Sequence, residues 1–420
     1  MSEPAADRRT LRRNISDLPR AAWVLVLGNF VNWFASFAIT FLTLFLTRRG
    51  FSVPQAGVAL AAYGGGELAA GGIGGHLADR VGRRTTMVLS MLASAGTIMG
   101  LYFADAYEAV VVVAFLAGVA TETWRPASRA LMADLVPEGQ RVTAFALVRF
   151  SGNLAFAIGG AVAGFLADRS FLWVYALDAG TSVAFAFIAL IALPPGRRTP
   201  RPEDTERGGY GRLFADHAFV LFLLASVLLV FVYSQQQATL PLFVVQSRGL
   251  DPSAFGLMLA MNGLLVVALE LPISALTMRR QPREMIALGF FLVGLGFGLT
   301  ALAKTLPLFL VTVGVWTLGE MIAAPVSYAY VADLAPEHLR GRYQGVYGLA
   351  WGVGGVAGPW LGTRIFATSA AGFWVLCGAL GCRPQVRPHR NRRRPARRRS
   401  EARRLVDARI ASIYRMDISI

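Results

Sequence analysis

The sequence predicts an all-α membrane protein made of two six-helix bundles with pseudo-two-fold symmetry, in which the twelfth helix is truncated or aberrant. Composition is the first observation: 55% of the 420 residues are hydrophobic, only 16% are charged, and the mean hydropathy is +0.51. A soluble protein carries roughly a quarter of its residues as charges. The second observation is that the apolar residues form long runs rather than amphipathic stripes. The third is an internal repeat.

The repeat is clearest in two short segments. Residues 133–138 read ADLVPE, and residues 332–337, which follow at an offset of 199 residues, read ADLAPE. The same shift brings Pro126 onto Pro325 without a gap. Two long apolar units of one design are typical of a secondary transporter, whose substrate site lies between its two halves.

The apolar runs define the individual spans, because about 20 mostly apolar residues are needed to cross a bilayer as a helix. Eleven runs and one fragment are present. The first six lie roughly at Ala21–Leu46, Gln55–Leu77, Thr85–Phe103, Glu108–Leu135, Thr143–Ala167 and Leu172–Leu193. The others lie at Asp216–Gln246, Ser253–Leu276, Glu284–Ala303, Leu306–Leu334 and Tyr343–Phe366, and the fragment is Ala370–Cys382.

These runs predict five parts of the chain. The parts are a tail at 1–20, an N-terminal bundle at 21–193, a linker at 194–215, a C-terminal bundle at 216–382 and an Arg-rich tail at 383–420. The two cysteines, Cys377 and Cys382, predict neither a disulfide framework nor a metal site.

Positive charge in the short loops predicts the orientation. The segments on one side, including both the N-terminal tail and the linker, hold 19 Arg, whereas those on the other side hold 6 Lys or Arg. This bias predicts a multi-pass protein of the inner or plasma membrane with both termini in the cytoplasm. The polar, Arg-rich segment Met1–Arg20 is unlike a cleavable signal peptide.

The net charge of +16 comes largely from the C-terminal tail and does not predict nucleic-acid binding. The run that begins near residue 371 breaks at Arg383–Pro388, and the tail beyond it has a disordered composition. One interpretation is that a natural final helix was lost through a shifted reading frame. The other is a genuine basic tail after a short helix, whose arginines contact anionic headgroups.

One motif connects this layout to a known family. Residues 75–84 read GHLADRVGRR and fall between the second and third runs, on the predicted cytoplasmic side. This segment matches, at every fixed position, the G-x-L-a-D-R-x-G-R-[RK] loop of the major facilitator superfamily, and the chain up to about residue 380 resembles that family. Residues 122–126 and 331–337 are most similar to its drug-efflux members.

The resemblance implies the major facilitator fold, alternating access and a gating role for the motif loop. The residues implied in gating are Gly75, Asp79, Arg80, Gly82, Arg83, Arg84 and Asp134. Chemistry supports the assignment, since a carboxylate at Asp79 can cap the N-terminus of a facing helix and Arg83 can pair with Asp134. The alternative is an ordinary positive loop that only anchors the topology.

Ionisable residues inside membrane spans are costly, so each one is a functional candidate. Glu122 and Arg125 lie three residues apart on one helical face and can pair. We expect proton coupling or substrate binding at Glu122 with Arg125, then at Glu320, and at Glu67. For Asp178 and Arg149 a structural role is favoured. Each candidate pair has the alternative of simply fixing helix packing.

Neutral polar and aromatic residues in the runs predict the wall of a cavity, because amides in hydrocarbon need partners. The candidates are Asn29, Asn32, Trp33, Gln235, Gln236 and Asn262. An aromatic wall with few charges is suited to flat lipophilic solutes.

The sequence therefore predicts a secondary active transporter, an antiporter that exports small lipophilic or cationic compounds by proton-coupled alternating access. The alternatives are a proton symporter importing a small nutrient and a membrane protein made inactive by its broken last helix. No Walker, HExxH or GxSxG motif is present, so the sequence predicts neither an enzyme nor an ATP-driven pump. The expected partners are a small molecule, protons and the bilayer, with no cofactor and a monomeric state.

Overall fold

The computed structural model describes residues 17–195, 213, 215–277, 280–336 and 339–381, and in these residues the chain is helical. The first six spans are α1 (Arg20–Ala35) with α2 (Leu42–Arg48), α3 (Val53–Val81), α4 (Arg83–Phe103), α5 (Tyr107–Glu122) with α6 (Trp124–Leu135), α7 (Glu138–Arg169) and α8 (Phe171–Ala192). The seventh span is α9 (His217–Tyr233) with α10 (Gln235–Ala238), α11 (Leu240–Leu242) and a π-helical turn (Phe243–Ser247). The remaining spans are α12 (Pro252–Thr277), α13 (Pro282–Leu299) with a 3₁₀ turn (Thr300–Leu302), α14 (Leu306–Leu334), α15 (Arg340–Thr368) and α16 (Ala370–Gly381).

Eight helices in the described residues are long and apolar enough to cross a membrane. The other spans differ in length or composition. Helix α1 has 16 residues because its span is interrupted, whereas α3 and α15 have 29 residues each and are rich in glycine. The described part of α16 has 12 residues. Residues 1–16, 196–212 and 382–420 lie outside the described residues, so the predictions about the two tails and the linker are not addressed by the structure.

Helix packing repeats along the chain. In the first half, span one packs against spans five and six, span two against span four, and span three against spans four and six. In the second half, span seven packs against eleven and twelve, span eight against ten, and span nine against ten and twelve. Each of these contacts in one half therefore has its counterpart six spans later, which is what a repeated sequence predicts.

Two seams join the halves. Helix α3 packs along α15 at one seam, and α7 packs along α12 at the other. Glycine permits the close approach at the second seam: a Cβ atom added to Gly164 would lie 2.7 Å from the Cα atom of Gly256. Arg149 on α7 and Glu270 on α12 form an ion pair across the same seam.

The buried cores show how the halves meet. We call the end of the molecule that holds the α3–α4 turn the motif end, and the opposite end the far end. At the far end one core contains residues of both halves, including Phe41, Phe45, Phe243 and Phe255. At the motif end there are two separate cores, one with Trp124 and other first-half residues and one made of second-half residues.

Three further hydrogen bonds between the halves lie at the far end. The Gln246 amide donates to Thr47 Oγ1 at 2.7 Å, and these two residues are 199 positions apart. The Thr43 hydroxyl donates to the Gln237 carbonyl at 3.3 Å, and the Ser253 backbone N–H donates to Asp168 at 2.9 Å. The halves are therefore packed together at the far end and carry separate cores at the motif end.

The first span contains a break that the continuous run from Ala21 to Leu46 did not predict. Residues 36–41 form turns between α1 and α2. The Ala38 backbone N–H, which lacks a helical partner, donates to the buried Asp178 carboxylate of α8 at 3.2 Å. Asp178 therefore satisfies a backbone group freed by the break, and this contact supports the structural role that the sequence favours.

Candidate substrate cavity

A cavity of about 520 Å³ lies between the halves. The first half contributes residues of α1, α6 and α7, and the second half contributes residues of spans seven, eight and ten. Its wall is formed by Asn29, Trp33, Trp124, Arg125, Ser128, Arg129, Met132, Phe145, Val148, Arg149, Gly152, Asn153, Phe156, Tyr233, Gln236, Gln237, Asn262, Gly263, Val266 and Glu320. Several of these residues lie on the motif-end portions of their helices, so the cavity occupies the space between the two motif-end cores.

The Glu122–Arg125 pair lies in the fourth span beside this cavity. Arg125 Nη2 lies 2.9 Å from Glu122 Oε1, and its guanidinium stacks over the Trp33 ring at 4.7 Å from the centroid. Arg125 and Trp33 line the cavity, whereas Glu122 is in the layer behind them. The span divides at Thr123 into α5 and α6, so the pair straddles the join between two helices.

Glu320 of α14 reaches the cavity from the second half. Its carboxylate accepts a hydrogen bond of 3.3 Å from the Asn262 amide, which also donates to Thr317 at 3.0 Å. The Tyr233 hydroxyl is also a hydrogen-bond partner of Glu320. The hydrogen bonds to the carboxylate therefore come from neutral groups, while Arg149 is close enough to interact with it electrostatically.

The first half contains the matching contact at the repeat-related positions. Tyr63 Oη and Thr121 Oγ1 lie 2.9 Å apart, and both this pair and the Asn262–Glu320 pair are separated by 58 residues. The second and fourth spans of the first half thus meet through two hydroxyl groups, whereas the corresponding spans of the second half meet through the Asn262 amide and the Glu320 carboxylate. Glu67, one turn after Tyr63, is a hydrogen-bond partner of the Tyr63 hydroxyl and is close enough to interact electrostatically with Glu122, although it does not line the cavity.

Of the neutral polar residues predicted for the cavity wall, two do not line it. Asn32 is buried and donates to Met91 Sδ at 3.6 Å, because that side of α1 faces span three. Gln235 is also buried and donates to the Phe231 and Gly358 carbonyls at 2.8 Å and 3.1 Å. The amide of Gln235 therefore joins span seven to span eleven, and neither Gln235 nor Asn32 lines this cavity.

The other predicted residues reach the wall in different ways. The Asn29 amide donates to the Val148 carbonyl at 3.0 Å and to Ser151 Oγ at 3.2 Å, which ties α1 to α7. Gln236 is buried, and its Nε2 has no hydrogen-bond partner among the described residues. Gln236 therefore lines the cavity with a buried amide whose nitrogen is not committed to another described residue.

Sequence reasoning missed the contribution of α7. Phe145, Arg149, Gly152 and Phe156 line the cavity, and their spacing of three to four residues places them on one helical face. That periodicity was available in the sequence. The reason for missing it is that the aromatic residues of this span look like ordinary lipid-facing residues when the seam between the halves is unknown.

The motif loop lies away from the cavity. Arg83 pairs with Asp134 and donates to the Ala130 carbonyl at 2.9 Å, so the ion pair expected from the sequence is present. Arg84 donates to the Leu193 carbonyl at 3.2 Å, at the end of α8. Gly82 has a φ of +93°, a conformation that favours glycine, and it alone separates α3 from α4.

The remaining motif residues have no equivalent contact. Asp79 and Arg80 are exposed at the end of α3, and the space around Gly75 is open. No hydrogen bond from Asp79 to a facing helix is present in the described part of the chain. The gating role assigned to these motif residues stays a prediction.

Comparison with known proteins identifies the family. The sequence profile of the Major Facilitator Superfamily matches residues 25–359 and 236–398. The chain belongs to the Major Facilitator Superfamily. It is therefore a multi-pass membrane transporter of a non-enzymatic family, and both the resemblance drawn from the motif and the predicted fold class are confirmed.

Individual relatives are distant. The uncharacterized MFS-type transporter YttB of Bacillus subtilis (strain 168) is 29% identical over 353 residues, which are 82% of this chain and 88% of that protein. The multidrug resistance protein MdtH of Aeromonas salmonicida (strain A449) is 27% identical over 75% of this chain and 79% of that protein. The crystal structure of the peptide transporter POT in complex with sulfate aligns with a TM-score of 0.73 at 15% identity, covering 90% of this chain and 96% of that one.

Proposed function

We propose that this protein exports small lipophilic compounds across the cell membrane in exchange for protons. The two halves alternate between a motif-end-open and a far-end-open arrangement around the cavity, and the monomer is the working unit. Both termini and the motif end face the cytoplasm, as the charge bias of the loops indicates. Similarity to MdtH, a multidrug resistance protein, supports export of toxic compounds.

The observation that carries the proposal is the placement of Glu320. Its carboxylate lines the cavity and is held by Asn262 and Tyr233, at a contact that the first half makes with the neutral groups of Tyr63 and Thr121. The bundle therefore does not need a carboxyl group there to hold its helices together. A carboxyl that alternates between a wet and a dry environment can take up a proton on one side and release it on the other.

Glu122 is the second candidate for the proton. Arg125 forms an ion pair with it. A buried carboxylate that is paired with a cation is held in its ionised form more firmly than one that accepts hydrogen bonds from neutral groups only. The geometry therefore favours Glu320 as the residue that exchanges protons and the Glu122–Arg125 pair as a support for the wall at Trp33.

The test is transport by everted membrane vesicles containing the full chain. An acid lumen should drive accumulation of a neutral lipophilic probe such as N-phenylnaphthylamine. Glu320→Gln should abolish this pH-driven accumulation and leave the exchange of labelled for unlabelled probe intact, because the amide keeps the hydrogen bonds but cannot carry a proton. Glu122→Gln measures the second candidate in the same way.

Glu108→Gln is the matched control, since Glu108 is exposed near the start of α5 at the far end. It should transport as the native protein does. Release of the probe under the same gradient would instead identify a symporter that imports its substrate. The absence of both accumulation and exchange in the native chain would support an inactive protein.

A further inference from the structure

Positively charged side chains outnumber negatively charged ones on the cavity wall. Three arginines, Arg125, Arg129 and Arg149, line the cavity, against one carboxylate, Glu320. Arg125 is occupied by Glu122 and by the Trp33 ring, and Arg149 by Glu270. These two guanidinium groups are therefore committed to protein partners.

Arg129 is different. It is exposed on α6, one helical turn beyond Arg125 toward the motif end. Within the described residues no carboxylate lies at ion-pair distance from its guanidinium. Glu122 interacts with it electrostatically, but that carboxylate is already held at 2.9 Å by Arg125. Among the described residues that line the cavity, Arg129 is thus the guanidinium without a direct anionic partner.

This guanidinium matters most when the cavity closes. Arginine stays charged in proteins, and an unpaired charge removed from water inside a membrane is costly. While the motif end is open, cavity water can solvate Arg129. Once the halves approach, an anionic group on the bound solute would replace that water, and a cationic group would add repulsion.

Aromatic residues on the same wall define the rest of the site. Phe145 and Phe156 of α7 and Trp33 of α1 surround the cavity together with Arg129. Flat apolar surfaces pack favourably against such rings. Polar donors are also close at hand, because the buried Gln236 amide nitrogen has no partner among the described residues.

We propose that the transported compounds carry an acidic group, which pairs with Arg129, on a flat lipophilic body that packs against Trp33, Phe145 and Phe156. The inference rests on the proposed function and narrows its substrate class from lipophilic compounds in general to lipophilic carboxylates or similar anions. Cationic compounds, which the function predicted from the sequence also included, are disfavoured by the arginine-rich wall.

Three probes that share one ring system test this pairing: naphthoate, naphthalenemethanol and naphthylmethylamine, which are anionic, neutral and cationic. Their equilibrium binding to the purified full chain in nanodiscs should rank the anion first and the cation last. Arg129→Gln should weaken naphthoate binding about tenfold, the effect of losing roughly one charge-assisted contact, and leave naphthalenemethanol within about twofold. Arg129→Lys, which keeps the charge, should retain most of the naphthoate affinity.

Arg280→Gln is the matched control, because Arg280 is exposed between α12 and α13 and does not line the cavity. It should leave the affinities for all three probes unchanged. Preferred binding of the amine, an equal loss for all three probes in Arg129→Gln, or no binding of any probe would overturn the inference.

The two proposals fail separately, because binding requires no proton gradient. Selective naphthoate binding without pH-driven transport in the everted vesicles would overturn proton-coupled export and leave the anion site standing. Robust pH-driven transport of neutral compounds with no role for Arg129 would do the reverse.

Discussion

Asp178 offers a test of whether a buried carboxylate in a span serves the fold or the proton. Its side chain is 4% exposed and accepts the Ala38 backbone N–H at 3.2 Å. A buried N–H left without a partner costs about 1–3 kcal/mol. Asp178→Ala should therefore lower the free energy of unfolding by about 2–4 kcal/mol, once the lost packing of the side chain is included. Asp178→Asn keeps an oxygen within reach of Ala38 and should cost less than about 1 kcal/mol.

The measurement is a denaturant titration in mixed micelles followed by circular dichroism, combined with vesicle transport for each variant. Asp105→Ala is the control, because the Asp105 side chain is 88% exposed and surface ion pairs contribute about 1 kcal/mol or less. Equal destabilisation by Asp178→Ala and Asp178→Asn would refute the hydrogen-bond argument. A stable Asp178→Asn protein without pH-driven transport would make Asp178 a proton carrier instead of a structural residue.

Two further perturbations follow from the ion pairs. Neutralising Arg149 and Glu270 singly and together should give a coupling of about 0.2–1 kcal/mol in a double-mutant cycle of unfolding free energies, because the Arg149 side chain is 62% exposed and solvent screens the pair. Additive losses would contradict a direct contribution from the pair. Arg83→Ala and Asp79→Asn should lower the initial transport rate while surface labelling shows normal amounts of protein in the membrane, because the motif loop is expected to control opening of that end. Native rates in both variants would remove the gating role.

Much of the fold could be predicted because the repeat is a strong constraint. Long apolar runs fix the number and approximate ends of the spans, and a duplicated unit must pack its spans in the same pairs twice. The ion pair between Arg83 and Asp134 was predictable for the same kind of reason. Both residues stand at helix ends on one side of the bundle, and a permanently charged guanidinium there seeks a carboxylate.

The lining of the cavity was harder to predict, because span order does not say which way a side chain points. Gln235 and Gln236 are neighbours in sequence. The Gln235 amide donates to the carbonyls of Phe231 and Gly358, whereas Gln236 lines the cavity. Neighbouring residues on a helix point in different directions, so one of the two amides can face the cavity while the other faces span eleven. The apolar pattern does not say which one, and it also did not reveal the turns at residues 36–41 in span one.

The two seams between the halves also differ in a way that only the structure relates to the repeat. Arg149 and Glu270 join α7 to α12, and the positions 199 residues away, Gly348 and Gly71, are both glycine. One seam therefore carries an ion pair near the cavity while its counterpart has no side chains at the equivalent places. The pair is not required by the packing of the repeat, because the other seam forms without it.

Departures from the repeat can thus be used to separate residues that hold the bundle from residues that act on substrate or protons. Glu320 stands where the first half has Thr121, and Arg129 stands where the second half has Tyr328. Each half folds with a neutral side chain at the position where the other half carries a charge. Since a charge inside a membrane is costly and these two are not needed to pair helices, their presence on the cavity wall is better explained by transport than by stability.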